Sequence, residues 1–524
     1  MEQILIKSGN ECAALAVLHS GISVAYSYPG TPSTEIMADL IKNMTNVKWN
    51  ANEKTALEAA LGVSYAGGRS FVSMKHVGLN VAADPFLSGA NMYINGGLVV
   101  VVADDPGMHS SQNEQDTRYY ADFAKTICLE PSTVQETYDM IREGFELSEK
   151  FHKIVVVRMC TRLSHSKGKV VLREGTEKKL LPPVDFKGWN SVPNFSRKNW
   201  KRTVDTFPEI LANSENCEYN YAENMGAKKG VITTGIAQQY FKELGLDIPH
   251  FHIGCYPIPE NRLSAFLQTL NEVYVIEEGY PYVERFIRGI IPSGVEIYGK
   301  TDGTFNETGE LTPDIIGKVF AIENNNVSLN LSTDDLPPRP PQLCKGCPHA
   351  DTYTMVKEVY EKYPDLVINA DIGCYSLGAL PPFSLPITLV NMGAAIPMAK
   401  GAADCGKKAI SIIGDSTFIH SGLTGVVDCV NNSTPTTIIV LDNSVTAMTG
   451  GQPQILPSEN LPKIVEAIGV AKEHIRTITP LPKNLEENVK ILEEEINYNG
   501  VSVIFAKREC IEALRKAAKQ KKGQ

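Results

Sequence analysis

The chain has 524 residues, enough for about three domains of ordinary size. It is 43% hydrophobic and 21% charged, and its net charge of −10 argues against a general nucleic-acid binder, which would show a basic face. No apolar run approaches the ~18 residues of a membrane span, and no basic-then-apolar leader opens the chain. Eleven cysteines, an odd number, suit reduced thiols or metal ligands better than a disulfide framework. The expectation is a soluble, cytoplasmic protein.

Strand-like and helix-like segments alternate along most of the sequence, the pattern of parallel sheets covered by crossover helices. In a first block, residues 1–190, strands are predicted over 23–28, 70–75, 97–104 and 153–159, with helices over 33–42, 53–66 and 134–149. The run Leu98–Ala103 is apolar throughout and predicts a strand buried on both faces. Proline, tryptophan and charge then break the pattern, and 191–226 reads as a linker. A second block, 227–330, predicts strands over 231–234, 251–254, 273–277 and 296–298, a small open α/β domain. The stretch Asp334–Pro341 is proline-dense, so 331–342 reads as a second linker. A third block, 343–524, predicts strands over 366–369, 409–413, 436–441 and 501–506. It closes on a lysine-rich helix with Ile511, Leu514 and Ala518 at helical spacing, either a solvated terminal helix or a docking surface for an acidic partner.

The most informative segment is Gly414-Asp415-Ser416 closing one predicted strand and Asp442-Asn443-Ser444-Val445 closing the next, with a helix between. In a doubly wound sheet adjacent strand ends open into one crevice, where ligands bind. Asp415 and Asn443 then face one point with oxygen atoms, and Gly414 allows close approach of a phosphate. A carboxylate, an amide oxygen and a backbone carbonyl, completed by phosphate oxygens and water, match the shell that Mg²⁺ demands. This spacing matches the thiamine diphosphate motif.

The same residues carry a wider likeness. Gly414–Phe418 and Leu441–Pro453 resemble the alpha subunit of indolepyruvate ferredoxin oxidoreductases. So do Tyr28-Pro29-Gly30-Thr31-Pro32-Ser33, Asn52-Glu53-Lys54, Met74–Pro85, Ala103–Gly107 and Ser110–Asp116. The resemblance covers nearly the whole chain. It implies a multi-domain α/β fold in which two thiamine-binding, doubly wound parallel-sheet domains flank a smaller transketolase-C-like α/β domain. Residues 1–190 would bind the pyrimidine and 343–524 the diphosphate and Mg²⁺. Members of this type usually continue into a ferredoxin-like domain with two cysteine-rich motifs, which this sequence does not contain.

Carried over residue by residue, the resemblance makes Glu53 the acid that hydrogen-bonds the pyrimidine ring and so helps deprotonate the thiazolium carbon. Taken alone, Glu53 would be a favourable charge at a helix N-terminus. Thr31 would face a polar ligand, or simply cap a helix. His76 would be a proton donor or oxyanion partner, or a structural histidine. Met392 would be the apolar wedge that bends the cofactor, or plain core. Gly373, Cys374, Gly414, Ser416 and Val445 complete the cofactor contacts, with the Val445 carbonyl joining Asp415 and Asn443 on Mg²⁺.

Cys344 and Cys347 form a C-x-x-C pair, Cys374 closes the next strand, and Cys510 follows the last strand. In related oxidoreductases four cysteines in this order hold a [4Fe-4S] cluster; the residues alone also suit a structural zinc with His349, or buried thiols. Cys12, Cys128, Cys160, Cys405 and Cys429 read as core. Met448 stands where pyruvate-using relatives carry asparagine, which points to a larger, apolar 2-oxo acid such as indolepyruvate or phenylpyruvate. The function implied is oxidative decarboxylation to the acyl-CoA, with coenzyme A as co-substrate. The assembly implied is an α₂β₂ complex with a smaller gamma-type subunit, served by ferredoxin or another electron-transfer protein. The alternatives are a non-oxidative decarboxylase or carboligase and a catalytically silent scaffold.

Overall fold

A computed structural model describes residues 4–182, 184–290, 294–322 and 342–522. The expected proline-rich linker lies outside these, apart from Gln342. The chain divides into two compact units, Met1–Leu329 and Asn330–Gln524.

The first unit is built on a seven-stranded sheet. Its order is Cys255–Tyr256, Ile127–Leu129, Val155–Cys160, Leu98–Asp104, Ser70–Lys75, Val24–Ser27, Val47–Trp49. All neighbours are parallel except the first pair. Leu98–Asp104 is buried at every position. Val99, Val101 and Ala103 enter one apolar core while Leu98, Val100 and Val102 enter the other, as the two-residue period of a strand requires. Helices fall where capping residues stand. Asn52 Oδ1 accepts from the Thr55 amide at 2.9 Å to open Glu53–Tyr65, and Thr133 Oγ1 accepts from the Glu136 amide at 3.0 Å to open Val134–Phe151.

A second sheet in this unit has the order Glu296–Tyr298, Glu272–Ile276, Lys229–Thr234, His250–Ile253, Asn220–Glu223, with only the last strand antiparallel. Residues 191–226 are therefore structured rather than a linker. They hold the 23-residue helix Pro193–Glu215 and the edge strand Asn220–Glu223. Proline at the first helical position suits a helix start. The polar composition that suggested a linker belongs to a helix with only four buried side chains.

The two sheets of this unit are pinned by buried charge. Arg158 donates from Nε to Asp104 Oδ2 at 2.6 Å, pairs with Glu130, and reaches the Glu278 carbonyl at 3.1 Å. Arg118 donates to Asp116 at 2.9 Å, Glu277 at 2.8 Å, and the Glu278 and Tyr280 carbonyls at 3.0 Å. Both arginines are fully buried. Burial alone would raise the Asp116 carboxyl, but the two guanidinium groups hold it below the usual carboxylate range.

The second unit carries a six-stranded, all-parallel sheet of order Ile387–Thr388, Val367–Ala370, Ala409–Gly414, Thr436–Asp442, Val501–Lys507, Ile475–Ile478. Among the described residues no helix is long and apolar enough to cross a membrane. All eleven cysteines are free thiols. Cys12, Cys128, Cys160 and Cys429 are buried as expected. Cys405 is exposed, because it caps the helix Ala395–Asp404 instead of lying within it.

Arg158→Met should leave Asp104 and Glu130 buried without their cation and cost about 3–5 kcal/mol. The check is the urea midpoint for loss of the first unit, followed by proteolysis; an unchanged midpoint would contradict the role given to this network.

Candidate functional site

In the second unit Asp415 begins a helix directly after the strand Ala409–Gly414. It is buried, and its Oδ2 accepts from the Asn443 and Ser444 amides, each at 2.9 Å, while Oδ1 accepts from the Ser416 amide at 2.6 Å. One carboxylate thus gathers two turns that lie 28 residues apart. Burial, then the neighbouring Asp442 carboxylate, pushes Asp415 up to about 7, so its charged form lacks a cation. Ser444 sits at φ +63, the left-handed region that non-glycine residues seldom occupy. Its amide bond to Asp415 holds it there, and the strained turn presents Val445 next in line. The Val445 amide donates to Asn443 Oδ1 at 3.2 Å. After Asp415 the helix passes through a π-turn, Phe418–Gly422, a feature frequent at functional sites.

Gly414 has an immediate steric reason beyond a phosphate: a Cβ there would lie 2.7 Å from the Tyr375 ring, and one at Gly373 would lie 2.4 Å from it. Met392 is partly buried on a turn whose next amides are held by Asp371. That carboxylate accepts from Gly393 at 2.8 Å and Ala395 at 3.2 Å, and burial raises it to about 6.

Cys344, Cys347, Cys374 and Cys510 line one cavity of about 120 Å³ together with His349, Asn443 and Ala447. The Cys374 thiol is pushed up to about 11 by burial and then by Cys347, Cys510 and Cys344, so the four thiols feel one another. Gly346, at φ +80, turns the C-x-x-C loop, and Arg508 ties that loop to Asp351 and the Gly346 carbonyl. Asn443 belongs to both sites: its carbonyl accepts from the Cys510 amide at 3.3 Å. Its side-chain Nδ2 donates to His349 Nε2 at 3.2 Å. Burial, then the Arg508 charge, lowers His349 to about 4, so its ring is a neutral acceptor that orients the carboxamide. Among the described residues no three His, Cys, Asp or Glu side chains are arranged to hold a single metal ion. A four-iron cluster binds each thiolate to its own iron and spreads the sulfurs wider. The terminal helix, Ile511–Lys522, is not merely solvated, since Ile511 lines the thiol cavity.

In the first unit the expected residues gather at the carboxyl ends of the parallel strands, where ligands bind in such sheets. Glu53 is buried at the start of its helix. Its carboxylate lies against Gly78, where a Cβ would stand 2.6 Å from Oε1, so only glycine fits. His76 is buried, with Nε2 3.1 Å from the Asn113 carbonyl. That nitrogen therefore donates in the neutral ring and leaves Nδ1 as an acceptor with no partner. Thr31 is half-buried, and its carbonyl lies 3.3 Å from Ser110 Oγ.

Sequence reasoning missed Lys75, Asp105, Ser110, Ser444, Asp371 and the orienting role of His349. Lys75, Asp105 and Ser444 stand at or just past the ends of predicted strands, and Asp105 and Ser110 lie in the segments that carry the family resemblance, but none was given a role.

Gly414→Ala should drive a methyl into the Tyr375 ring and cost about 1–3 kcal/mol. Gly414→Ala paired with Tyr375→Leu should recover most of that loss in thermal unfolding. No recovery would mean that Tyr375 is not the obstruction.

Two family descriptions match the chain: "Pyruvate flavodoxin/ferredoxin oxidoreductase, thiamine diP-bdg" over residues 15–213, and "Thiamine pyrophosphate enzyme, C-terminal TPP binding domain" over 371–522. The indolepyruvate oxidoreductase subunit IorA of Methanothermobacter thermautotrophicus is 36% identical, covering 96% of this chain and 86% of that one. The subunit of the same name from Pyrococcus abyssi is 36% identical, covering 99% and 88%. A solved 2-oxoglutarate:ferredoxin oxidoreductase from Magnetococcus marinus, with 2-oxoglutarate, coenzyme A and succinyl-CoA bound, shares the fold with a TM-score of 0.52. It is 18% identical, and the match covers 61% of this chain and 65% of that chain. With thiamine-binding regions in both units and close to full-length likeness to these subunits, the chain belongs to the IorA family of thiamine diphosphate-dependent 2-oxoacid oxidoreductases.

Proposed function

We propose that this chain is the large catalytic subunit of an enzyme that oxidatively decarboxylates an aryl 2-oxo acid, of indolepyruvate or phenylpyruvate type, to the acyl-CoA. The observation that carries the reading is the double use of Asn443. It shares the Asp415 turn on one side and walls the four-thiol cavity on the other. A cation site and an electron-accepting site are thereby held by one residue.

The residues fit both groups. Asp415, raised by burial, gains its charge back from a divalent cation. The Asn443 carboxamide and the Val445 carbonyl are the further oxygen donors that Mg²⁺ would take. Cys344, Cys347, Cys374 and Cys510 supply the four thiolates of a [4Fe-4S] cluster. When bound, thiamine diphosphate supplies the acidic carbon at which a 2-oxo acid loses CO₂, and the cluster accepts electrons singly. The protein's own part is geometric and electrostatic. Glu53 holds a proton at a ring nitrogen of the pyrimidine, fixed against Gly78. His76 Nδ1 stands ready to accept one. Gly373, Ser416 and Met392 shape the cofactor's surroundings, and Thr31 offers a polar contact.

Met448 is 56% exposed on its turn, an apolar surface suited to an aryl side chain. An apolar pocket discriminates by only ~1–3 kcal/mol per methylene, so several aryl acids should be accepted. The relatives are named as subunits, which supports a partner chain; we assign it as a smaller gamma-type subunit in an α₂β₂ assembly, with ferredoxin or another electron-transfer protein as acceptor.

Anaerobically purified complex should contain about four iron and four acid-labile sulfide per large chain. Cys374→Ala should lose the brown absorbance and acceptor reduction yet keep deuterium exchange at the thiazolium C2. A colourless wild type that releases aryl aldehyde would establish a non-oxidative decarboxylase instead.

Glu53→Gln should retain the cofactor and lose roughly 10²–10⁴ in rate. Wild-type C2 exchange in this variant would assign the acid elsewhere.

A further inference from the structure

Lys75 ends the strand Ser70–Lys75 and stands beside the groups already described in the first unit. Its stem lies across Gly30, where a Cβ would meet Cγ and Cδ at 3.2 Å, so the glycine before Thr31 makes room for it. Its Nζ donates to the Ser110 carbonyl at 3.0 Å, and Ser110 in turn reaches the Thr31 carbonyl. Glu53 and Asp105 are the carboxylates close enough to influence it.

Neither forms an ion pair with it: among the described residues Lys75 has no carboxylate oxygen within 4.0 Å and one hydrogen bond. Asp105 is already satisfied. Its Oδ2 accepts from the Ser110 amide at 2.8 Å and from Ser111 Oγ at 2.8 Å, and its Oδ1 accepts from Thr161 Oγ1 at 2.7 Å. An ammonium has three donors, and here two are uncommitted. The stem is partly buried, and burial weakens the hold of the group on its proton. A cation with a single protein acceptor, beside the proposed catalytic acid, is a site for an anion.

We infer that Lys75 binds the carboxylate of the 2-oxo acid, the one group that every substrate of this class shares. This rests on the proposed reaction. It assigns to the first unit the recognition of the acid head, a task separate from the choice of side chain. Diphosphate and coenzyme A are the other anions of the reaction, and a test must separate them from the substrate.

The experiment uses the complete complex, anaerobically, with phenylpyruvate and a viologen dye as acceptor. Lys75→Met should raise the KM for phenylpyruvate about 10- to 100-fold, the worth of a hydrogen bond to a charged group. The kcat should not fall, because the carboxylate gives up its charge as CO₂ leaves, so the lost contact favours the bound substrate over the transition state of that step. The KM for coenzyme A and the affinity for thiamine diphosphate should not move. Lys75→Arg should restore most of the substrate affinity. As a readout free of turnover, calorimetric titration with 3-phenylpropionate should show the same loss in Lys75→Met. Active wild type with an unchanged phenylpyruvate KM in Lys75→Met would overturn this inference alone, as would a rise confined to coenzyme A or thiamine diphosphate. Wild type inert toward every aryl 2-oxo acid would instead overturn the reading beneath it.

Discussion

Two buried arginines organise the first unit. Arg158 and Arg118 draw together Asp104, Asp116, Glu130 and Glu277, and both reach the Glu278 carbonyl. Desolvating so many charges is expensive unless each is paired and hydrogen-bonded. The network meets that condition with backbone as well as side-chain partners, and so it has few alternative arrangements. Its consequence reaches the site. Asp104 accepts from the Thr117 amide at 3.1 Å, so the loop between them is anchored at both ends. That loop carries Ser110 and Asn113, the partners of Lys75 and His76, and Asp105, which holds Ser110.

The second unit uses the opposite device. There a single buried carboxylate, Asp415, holds two turns through three backbone amides and the Ser416 hydroxyl, with no cationic side chain paired to it among the described residues. Such a group favours a cation strongly, because binding relieves a cost already present in the folded chain. Asn443 then transmits order from this turn to the thiol cavity. Its backbone receives the Cys510 amide, and His349 fixes the orientation of its side chain. The Asp415 turn and the four-thiol cavity are thereby held next to each other.

Close contacts at glycine recur in both units. Gly78 admits the Glu53 carboxylate, Gly30 the Lys75 stem, and Gly373 and Gly414 the Tyr375 ring. In each case a functional or supporting side chain occupies the volume where a Cβ would stand. Preorganisation here comes from packing that leaves one rotamer room, which is how a site is held to the tolerance that catalysis demands.

Much of the architecture was legible in the residues themselves. The strands Ser70–Lys75 and Leu98–Asp104 and the helix after Asn52 follow from apolar runs and a capping residue, both local properties of the chain. The Asp415 and Asn443 pair was legible because strand–turn–helix punctuation places both at strand ends. The short edge strands, the ordered helix Pro193–Glu215 and the exposure of Cys405 were not, since edge pairing and surface docking depend on what lies opposite. The roles of Lys75, His349 and Ser444 were equally hidden. A lysine beside a histidine, a histidine after a C-x-x-C pair and a serine in a turn are ordinary in sequence. What singles them out is an uncommitted donor, an orienting acceptor and a strained φ. Local chemistry determined the elements and the cofactor motif, whereas only the tertiary structure decided which charges are satisfied and which remain free for a ligand, because satisfaction is a property of distances across the fold.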